Sequence, residues 1–307
     1  MPMRMSQGTE TNRVHQALFV TMMVWGVNLS AVKGLTESLD LMLVASVRMV
    51  LATVVLAMMA AFFGGGIRQP WTWEKWLLLL AAAFFLVYSQ QIAFAEGLFR
   101  TSATNAALVM ALGPTVSLSL EALFFKRAVT RQQISGIVLA LVGVSVVILN
   151  RPQASLTAAA WGDLWIFASV LAFASGGLCI QRLTQSSSPL MVSLAVHALG
   201  ALMLCVHTEA SIPRPLSAVA GMTAWQWLLA GFSAVFATGM GSWVWSRGIA
   251  AIGVGRTASY ISWVPVFGVF FGAIFFSEKL TGWHGLGLAA VIAGTTLIAR
   301  QPIARAV

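Results

Sequence analysis

The sequence predicts an all-α integral membrane protein of ten transmembrane helices, arranged as two inverted repeats of five helices each. Three observations predict this fold class. The chain has 307 residues, of which 59% are apolar and only 9% are charged, a balance that suits a bilayer and not a soluble core. Long uncharged apolar runs follow one another along the chain. The second half also repeats the first at a fixed offset of about 151 residues, without a gap.

Ten apolar runs account for the predicted helices, because a helix crosses a hydrocarbon core about 30 Å thick with roughly 20 residues. The runs are residues 14–32, 41–63, 76–95, 101–120, 134–149, 164–180, 190–206, 225–245, 257–276 and 283–299. Arg48 alone interrupts the second run, and the shortest two runs need their flanks to span. The first run is long and lacks a small-residue cleavage site, so we predict a retained helix and not a secretory signal. The longest connection, near residues 207–223, is under about 20 residues, so no separate soluble domain is predicted.

The repeat aligns residues 96–149 with residues 247–300. The matched positions include Gly97 with Gly248, Pro114 with Pro265, Ala122 with Ala273, Thr130 with Thr281, Gly136 with Gly287 and Gly143 with Gly294. We place the first five-helix repeat at residues 1–152 and the second at residues 153–307. Because five is an odd number, the second repeat must enter the membrane in the opposite direction. Inverted repeats of this kind are typical of secondary transporters.

The distribution of basic residues supports the inversion. With the N-terminus inside, twelve Lys and Arg residues fall in inside segments and five in outside segments, which favours a cytoplasmic position for both termini. The basic loop at residues 126–128 falls inside, and its repeat partner at residues 277–279 falls outside and is near neutral. The net charge of +9 is therefore interpreted as an orientation signal, and no nucleic-acid partner is predicted.

Several short motifs occur in order along the chain. They are Trp25-Gly26-x-Asn28 in the first predicted helix, Arg48 in the second, Pro114 in the fourth, Pro265 in the ninth, Phe276-Ser277-Glu278-Lys279-Leu280-Thr281 after it, and Gly287 with Gly294 in the last. Together they resemble the EamA-type drug/metabolite transporter superfamily over nearly the whole chain, and the aromatic content looks most like the YddG-type amino-acid exporters. The resemblance implies ten helices in two inverted halves, located in a bacterial inner membrane, and export of small metabolites.

The chain departs from the family pattern in one place and from its four-helix relatives in another. Arg127 occupies the first-half position of Glu278, a difference that follows the predicted sidedness. The four-helix multidrug relatives use a glutamate of the first helix for proton coupling, whereas the first helix here has Trp25 and Asn28 and no carboxylate. We therefore expect facilitated or exchange transport in place of proton-driven pumping.

Arg48 is the one formal charge deep within a predicted span. A cation at this depth should face the bundle interior or water. His197 stands at nearly the same offset in the second half. One interpretation is that Arg48 contacts a substrate carboxylate or acts as a gate ligand. The other is that Arg48 bonds helix-end carbonyls and stabilises the fold.

Aromatic residues fall into two sets. Those at span ends are expected to anchor the chain at the membrane interface: Trp71, Trp73, Trp76, Trp161, Trp165, Trp225, Trp227 and Trp283. The deeper set comprises Trp25, Tyr88, Trp243, Trp245, Tyr260 and Trp263, accompanied by the polar residues Asn28, Gln90, Gln91 and Ser262. This mixture suits amphipathic solutes, including ammonium groups held over aromatic faces. The predicted substrate-binding residues are Trp25, Asn28, Arg48, Tyr88, Gln91, Trp243, Tyr260 and Trp263.

Pro114 and Pro265 are predicted to kink the fourth and ninth helices. Each removes a backbone donor and frees the carbonyl four residues before it, at Met110 and Ile261. Kinked helices at corresponding positions are where transporters bend and bind. In the ninth helix a GxxxG motif also offers a close-packing face. The predicted hinge or gating residues are Pro114, Pro265, Gly268 and Gly272.

The remaining reactive side chains are expected to be structural. Glu96 precedes Arg100 by one helical turn, which suits an ion pair near the outer surface, and Glu121 is close to the basic loop that follows it. Cys179 and Cys205 lie in apolar runs without metal-ligand or CxxC spacing. No metal or other cofactor is therefore predicted.

The leading hypothesis is a secondary transporter that exports small amphipathic metabolites, most of all neutral and aromatic amino acids and related amines, by alternating access around a central cavity. Its partners would be the small-molecule substrate and the lipid bilayer. An integral-membrane enzyme acting on a lipid-linked substrate is one alternative, although the four His residues are scattered and no HxxxH or paired-acid group appears. A passive channel is the other alternative. An ATP-driven pump would need a GxxxxGK[ST] phosphate loop, and the sequence has none.

Overall fold

The computed structural model of the protein describes residues 3–63, 71–124, 130–149, 158–276 and 281–299. Within these ranges all regular secondary structure is helical, so the predicted all-α class is confirmed. The helices of the first half are α1 (Met3–Thr36), α2 (Leu41–Phe63), α3 (Trp73–Ala82), α4 (Gln90–Arg100), α5 (Ala103–Met110), α6 (Gly113–Phe124) and α7 (Arg131–Leu149). A π-helical segment, Ala83–Ser89, joins α3 to α4 without a break.

The second half is built in the same way. Its helices are α8 (Ala158–Thr184), α9 (Pro189–Ser211), α10 (Pro215–Ala220), α11 (Ala224–Phe232), α12 (Gly241–Ile252), α13 (Val254–Ser259), α14 (Val264–Phe276) and α15 (Gly282–Ala299). A second π-helical segment, Ser233–Met240, joins α11 to α12, and a 3-10 segment, Tyr260–Trp263, joins α13 to α14. The connection predicted at residues 207–223 contains the end of α9 and all of α10.

Length and composition identify six helical units that could cross a membrane: Asn12–Thr36, Leu41–Phe63, Trp73–Arg100, Trp161–Thr184, Pro189–Ser211 and Ala224–Ile252. The other predicted spans correspond to shorter or interrupted helices, so the number of ten stays a prediction. Many large apolar side chains are exposed to the surroundings, as a lipid-facing surface requires. Seven of the eight tryptophans expected at span ends are exposed, and Trp71 is half-buried.

Local sequence explains where several helices begin. Thr72 and Thr223, which the repeat matches, are the N-caps of α3 and α11. The hydroxyl of Thr223 accepts from the backbone N–H of Gln226 at 3.3 Å, and the Gln226 side chain accepts from the Thr223 N–H at 2.8 Å. This reciprocal capping box satisfies two donors that a helix start would otherwise leave unpaired. Pro189 begins α9, where its missing N–H costs no helical hydrogen bond.

The two π-helical segments lie at matched positions of the repeat. The backbone N–H of Gln90 donates to the carbonyl of Phe85, five residues back, and Gly241 donates in the same way to Phe236. Both residue pairs are related by the offset of 151 residues. Short π segments inside α-helices often lie at functional sites. The repeat is therefore visible in the backbone as well as in the sequence.

The last helices of the two repeats, α7 and α15, pack closely through glycines. A Cβ atom added to Gly143 would lie 2.8 Å from Gly287 O, and one added to Gly294 would lie 2.5 Å from Gly136 O. Because the repeat matches Gly136 with Gly287 and Gly143 with Gly294, the contact is reciprocal, as a two-fold relation requires. Residue numbers rise along α7 as they fall along α15, so these matched helices run antiparallel.

A second matched pair, α2 and α9, also runs antiparallel. Ser46 Oγ lies 2.6 Å from Thr208 Oγ1, and Thr208 Oγ1 donates to Met42 O at 3.2 Å. The beginning of α2 is therefore beside the end of α9. An inverted repeat requires matched helices that run in opposite directions.

A polar junction joins α1, α4 and α8. Lys33 Nζ donates to Leu98 O at 2.8 Å and to Thr101 O at 3.1 Å, at the C-terminal end of α4. A cation is favourable there because a helix C-terminus carries partial negative charge. Thr101 Oγ1 donates to Asp163 Oδ1 at 2.9 Å, and both residues are buried. These hydrogen bonds thus hold α1 and the C-terminal end of α4, from the first half, to α8 of the second half.

Candidate functional site

A cavity of about 100 Å³ lies between the two halves of the chain. A single water needs roughly 10–15 Å³ on the same measure, so the cavity has room for several waters or for part of a small solute. Its described walls come from α1, α2, α4, α5, α6, α8, α9 and α12, and from both π segments and the 3-10 segment. Both repeats therefore contribute to one central cavity.

Many lining residues are matched across the repeat. The pairs at the offset of 151 are Leu86 with Ala237, Val87 with Thr238, Gln91 with Ser242, Phe94 with Trp245 and Met110 with Ile261. Arg48 and His197 line the same cavity and are related by nearly the same offset. The cavity is thus lined by residues that correspond to one another across the repeat.

Among the described lining residues, Arg48 is the one Lys, Arg, Asp or Glu side chain, and it is 2% exposed. Its Nε donates to Ser233 Oγ at 2.6 Å, and its Nη1 donates to Gln91 Oε1 at 3.0 Å. Ser233 donates onward to Asn28 Oδ1, and Gln91 Nε2 donates to Gln90 Oε1 at 2.5 Å. These hydrogen bonds hold the guanidinium in place, but each acceptor is neutral and does not compensate the buried charge.

His197 lines the cavity from α9 and is also 2% exposed. Its Nδ1 lies 2.8 Å from Ser193 O, and because a carbonyl oxygen only accepts, Nδ1 is the donor. Its Nε2 lies 3.0 Å from Ser242 Oγ in α12. Ser193 Oγ donates to Ser246 Oγ at 2.8 Å, a further bond between α9 and α12. To the cavity wall, the first half therefore contributes a guanidinium and amides. The second half contributes an imidazole and hydroxyls.

Three aromatic rings form an apolar wall of the cavity. The ring centroids of Trp25 and Trp245 are 5.5 Å apart, those of Phe173 and Trp245 are 5.1 Å apart, and those of Trp25 and Phe173 are 5.8 Å apart. These separations are in the range of favourable aromatic pairs. The indole of Trp25 donates to Ala237 O, in the second π segment, at 2.8 Å. Trp245 Nε1 is buried and has no hydrogen-bond partner among the described residues.

The structure brings together four of the eight predicted substrate-binding residues. Trp25, Asn28, Arg48 and Gln91 all line the cavity. They come from three helices of the first half and meet α8, α9 and α12 of the second. The other four predicted residues lie outside the cavity lining.

The two tyrosines of the predicted set pair with histidines elsewhere. Tyr88 OH lies 2.8 Å from His207 Nδ1, which connects the first π segment to α9. Tyr260 OH lies 2.6 Å from His15 Nδ1, and the two rings stack at 5.8 Å between centroids. Depth in the membrane predicts neither contact, because the direction of a side chain depends on the rotation of its helix.

The two remaining tryptophans of the predicted set are also absent from the cavity lining. Trp243 is half-buried, and the guanidinium carbon of Arg247 lies 5.9 Å from its ring centroid. Trp263 is 45% exposed and meets Phe19 edge-on at 5.2 Å. Trp245, two residues after Trp243, takes the position in the cavity wall.

The predicted proline positions coincide with breaks in the helices. Pro114 and Pro265 are each the second residue of a helix, α6 and α14, and in both halves the helix is interrupted directly before them. A proline fits the first turn of a helix because its missing N–H is not needed there. Met110 and Ile261, which precede the prolines by four residues, both line the cavity. The prediction that Pro265 frees the Ile261 carbonyl was wrong, because the backbone N–H of Val264 donates to it at the end of the 3-10 segment.

The predicted glycine face of α14 packs against α1. A Cβ atom added to Gly26 would lie 2.3 Å from Phe267 Cβ and 3.0 Å from Gly268 N, so the two helices approach each other at backbone distance. Gly272 is buried one turn further along. Small residues at membrane-helix contacts permit this close approach.

Several lining residues are absent from the predicted set, among them Phe94, Phe173, Ser169 and Ser242. The repeat offset is a signal for Phe94, which matches Trp245, and for Ser242, which matches Gln91. No comparable signal in the sequence distinguishes Phe173 or Ser169 from the other residues of α8.

The side chains expected to be structural lie outside the cavity lining. Glu96 and Arg100 form the predicted ion pair at 2.7 Å. Cys179 and Cys205 are free thiols and half-buried. In the part of the chain that the structure describes, no three His, Cys, Asp or Glu side chains converge as metal ligands would. The basic loop at residues 126–128 and its partner at residues 277–279 fall outside the described residues.

The duplicated architecture has a counterpart among known families. The model of the EamA-like transporter family matches the chain twice, at residues 13–149 and at residues 160–300. The chain belongs to the EamA-like transporter family. With its long apolar helices, this EamA-like protein is a multi-pass membrane transporter, as the resemblance of its motifs implies.

This EamA-like protein has relatives in bacteria. It is 27% identical over 224 residues to the uncharacterized transporter YyaM of Bacillus subtilis, with 72% of each chain covered. It is 27% identical over 287 residues to a probable amino-acid metabolite efflux pump of Salmonella typhimurium, with 90% of this chain and 91% of the relative covered. A crystal structure superimposes with a TM-score of 0.72 at 15% identity, covering 94% of this chain and 98% of that chain, which shows a shared fold.

Proposed function

We propose that this EamA-like protein is a secondary transporter that exports small amphipathic metabolites, in particular neutral and aromatic amino acids, across the bacterial inner membrane. The observation that carries the proposal is the central cavity, where a buried cation and neutral polar groups border an aromatic wall. Small-molecule sites combine a mostly apolar lining with a few polar groups that orient the ligand. The name of the Salmonella typhimurium relative, a probable amino-acid metabolite efflux pump, supports the same substrate class.

Arg48 would bind the carboxylate of the substrate. A guanidinium has five N–H donors, and Arg48 uses two of them for Ser233 and Gln91. The remaining donors suit the paired oxygens of a carboxylate, which an arginine binds with two parallel hydrogen bonds. Both protein partners of Arg48 are side-chain oxygens, and neither is the helix-end carbonyl that a purely structural role would use.

The aromatic wall would hold the apolar part of the substrate. Trp25, Phe173 and Trp245 present three rings within 6 Å of one another, measured between centroids. Buried aromatic surface contributes much of the binding energy in such sites and accommodates side chains of different shapes. This arrangement supports a preference for amphipathic solutes over small polar ones.

Transport would proceed by alternating access, with the two halves rocking about the cavity. The antiparallel packing of α2 with α9 and of α7 with α15 supports an inverted arrangement with two nearly equivalent states. We propose the breaks before Pro114 and Pro265 as the bending points, and the close contact of Gly268 with α1 as the surface that moves. Gly272 would extend that surface.

Reconstitution in liposomes tests the proposal. Purified protein in liposomes should take up labelled phenylalanine above the level of protein-free vesicles, and unlabelled phenylalanine inside should accelerate the uptake. Such acceleration is expected of an alternating-access carrier and not of a passive channel. An imposed proton gradient should change the rate little, because the candidate membrane span of the first helix, Asn12–Thr36, has no carboxylate for coupling.

Two outcomes would contradict this transport function or its mechanism. Folded protein that moves no amino acid from a panel of neutral and aromatic members would contradict the transport function. Uptake that internal substrate does not accelerate would contradict alternating access and favour a channel.

A further inference from the structure

The charge of the cavity is unbalanced. Arg48 is buried in its wall, and the oxygens that it contacts belong to a serine and a glutamine. His197 is held by a backbone carbonyl and a serine hydroxyl. Neutral hydrogen bonds orient a buried cation but leave its charge uncompensated, so the cavity favours an anionic ligand.

An inventory of the acids supports this conclusion. The chain has nine Asp and Glu residues, and seven have side chains that the structure describes. Those seven are Glu37, Asp40, Glu74, Glu96, Glu121, Asp163 and Glu209, and none is among the described residues of the cavity lining. Glu96 pairs with Arg100, and Asp163 accepts from Thr101. Among the described residues no carboxylate balances Arg48, and a carboxylate on the ligand would supply the missing charge.

We infer that a carboxylate is the obligatory recognition group of this cavity and that an amino group is dispensable, so that amphipathic monocarboxylates without an amine are substrates too. This inference rests on the proposed transport function and narrows it. A monocarboxylate brings the charge of the occupied cavity to zero. A zwitterionic amino acid leaves one positive charge, which the faces of Trp25 and Trp245 accommodate.

Cationic amines are disfavoured by the same charge balance. Two positive charges close together in a cavity of low dielectric repel each other strongly. Among the described lining residues there is no acid to relieve this repulsion, and cation–π contacts supply only part of what a carboxylate would. The aromatic wall by itself suits amines, as the sequence suggests, but the neighbouring guanidinium reverses that preference.

Three ligands that share one phenylethyl skeleton test the inference. They are L-phenylalanine, 3-phenylpropanoate, which lacks the amino group, and 2-phenylethylamine, which lacks the carboxylate. Their affinities for the purified protein are measured by calorimetric titration, and each unlabelled ligand is used to inhibit phenylalanine uptake in liposomes. We expect 3-phenylpropanoate to bind within about tenfold of phenylalanine and 2-phenylethylamine to bind roughly 10- to 100-fold more weakly, the range expected from lost charge-assisted hydrogen bonds.

Variants of Arg48 test whether this residue causes the preference for carboxylate ligands. Arg48→Gln should lower the affinity for both carboxylates roughly 10- to 100-fold and leave 2-phenylethylamine unchanged or improved. Arg48→Lys keeps the charge and should retain the order of the three ligands, which separates recognition from a folding defect. Arg100→Gln is the matched control, because that arginine pairs with Glu96 and is not among the lining residues, so all three affinities should stay unchanged.

The outcomes separate the inference from the proposed function. If phenylalanine binds and is transported but 3-phenylpropanoate does not bind, the amino group is required and the inference is wrong, while the transport function stands. If 3-phenylpropanoate binds and phenylalanine is not transported, the amino-acid assignment fails and carboxylate recognition is supported. Tighter binding of 2-phenylethylamine than of 3-phenylpropanoate would overturn the inference, as would equal losses for all three ligands in Arg48→Gln.

Discussion

Arg48 is the residue on which the chemistry of the cavity depends. A cation at the centre of a membrane-spanning helix costs about 2.5–3.5 kcal/mol on insertion scales. The side chain is 2% exposed and is oriented by Ser233 and Gln91, which leaves its charge uncompensated within the described residues. A residue that is costly for folding and well oriented by neighbours is more readily explained by ligand binding than by stability.

Trp25 gives a prediction at the residue scale. Trp25→Phe keeps an aromatic ring but removes the indole donor to Ala237 O, and a buried carbonyl left without its partner costs about 1–3 kcal/mol. We expect the free energy of unfolding to fall by that amount, measured by thermal or denaturant unfolding in detergent. Trp225→Phe is the control: this tryptophan is 64% exposed, and its replacement should change stability by less than about 0.5 kcal/mol. Equal losses in the two variants would show that the Ala237 bond has no special role.

At the scale of elements, the two halves share their departures from regular helix. The π segments and the breaks before Pro114 and Pro265 lie at matched positions, and residues of all four line the cavity. In these places the backbone has carbonyls that the α-helical pattern does not pair, and Trp25 bonds one of them. The distortions therefore lie at the cavity, where they add polar backbone groups to its polar side chains.

The glycine contact of α7 with α15 gives a prediction at the element scale. Gly294→Ala would place a Cβ atom 2.5 Å from Gly136 O and 2.8 Å from Ala140 N, so the helices must separate. Overpacking of this kind costs about 1–3 kcal/mol, which thermal unfolding in detergent would detect. Gly285→Ala on the same helix is the matched control, because its Cβ would meet nothing within 4 Å. Similar stabilities for the two variants would contradict the close packing of these helices.

At the scale of the whole molecule, two pairs of matched helices are in contact. The contacts of α7 with α15 and of α2 with α9 both join repeat partners, and both pairs run antiparallel. The cavity lies among residues that the offset relates, such as Phe94 with Trp245 and Met110 with Ile261. A molecule of this kind can exchange the roles of its halves, since the contacts of one conformation have counterparts in the other.

The inversion itself gives a prediction at this scale. Thr130 and Thr281 are matched by the repeat and precede α7 and α15. In a background with Cys179 and Cys205 replaced by serine, Thr281→Cys should react with a membrane-impermeant maleimide in intact cells. Thr130→Cys should react only after the membrane is permeabilised, because the predicted orientation places it inside. Labelling of both variants from the same side would exclude an inverted repeat.

Much of this protein could be predicted from its sequence. The membrane class follows from composition, and the duplication follows from a gapless offset, because both are carried by residue types in order. The repeat also relates Arg48 to His197 as nearly corresponding positions. The matched prolines predict that the helix is distorted at the same place in both halves. These features are local in the chain or repeated along it.

The sequence predicted Trp25, Asn28, Arg48 and Gln91 in the cavity lining, and the tertiary structure decided the rest of it. The predicted spans contain four predicted residues that lie outside the lining: Tyr88, Trp243, Tyr260 and Trp263. Phe173 and Trp245, which were not in the predicted set, join Trp25 in its aromatic wall. In a soluble protein the polar face of a helix marks its outside, but lipid and protein interior are both apolar, so a membrane helix carries little such pattern. The sequence therefore determined the order of the apolar helices and which residues match, and only the packing of the helices decided which faces meet around Arg48.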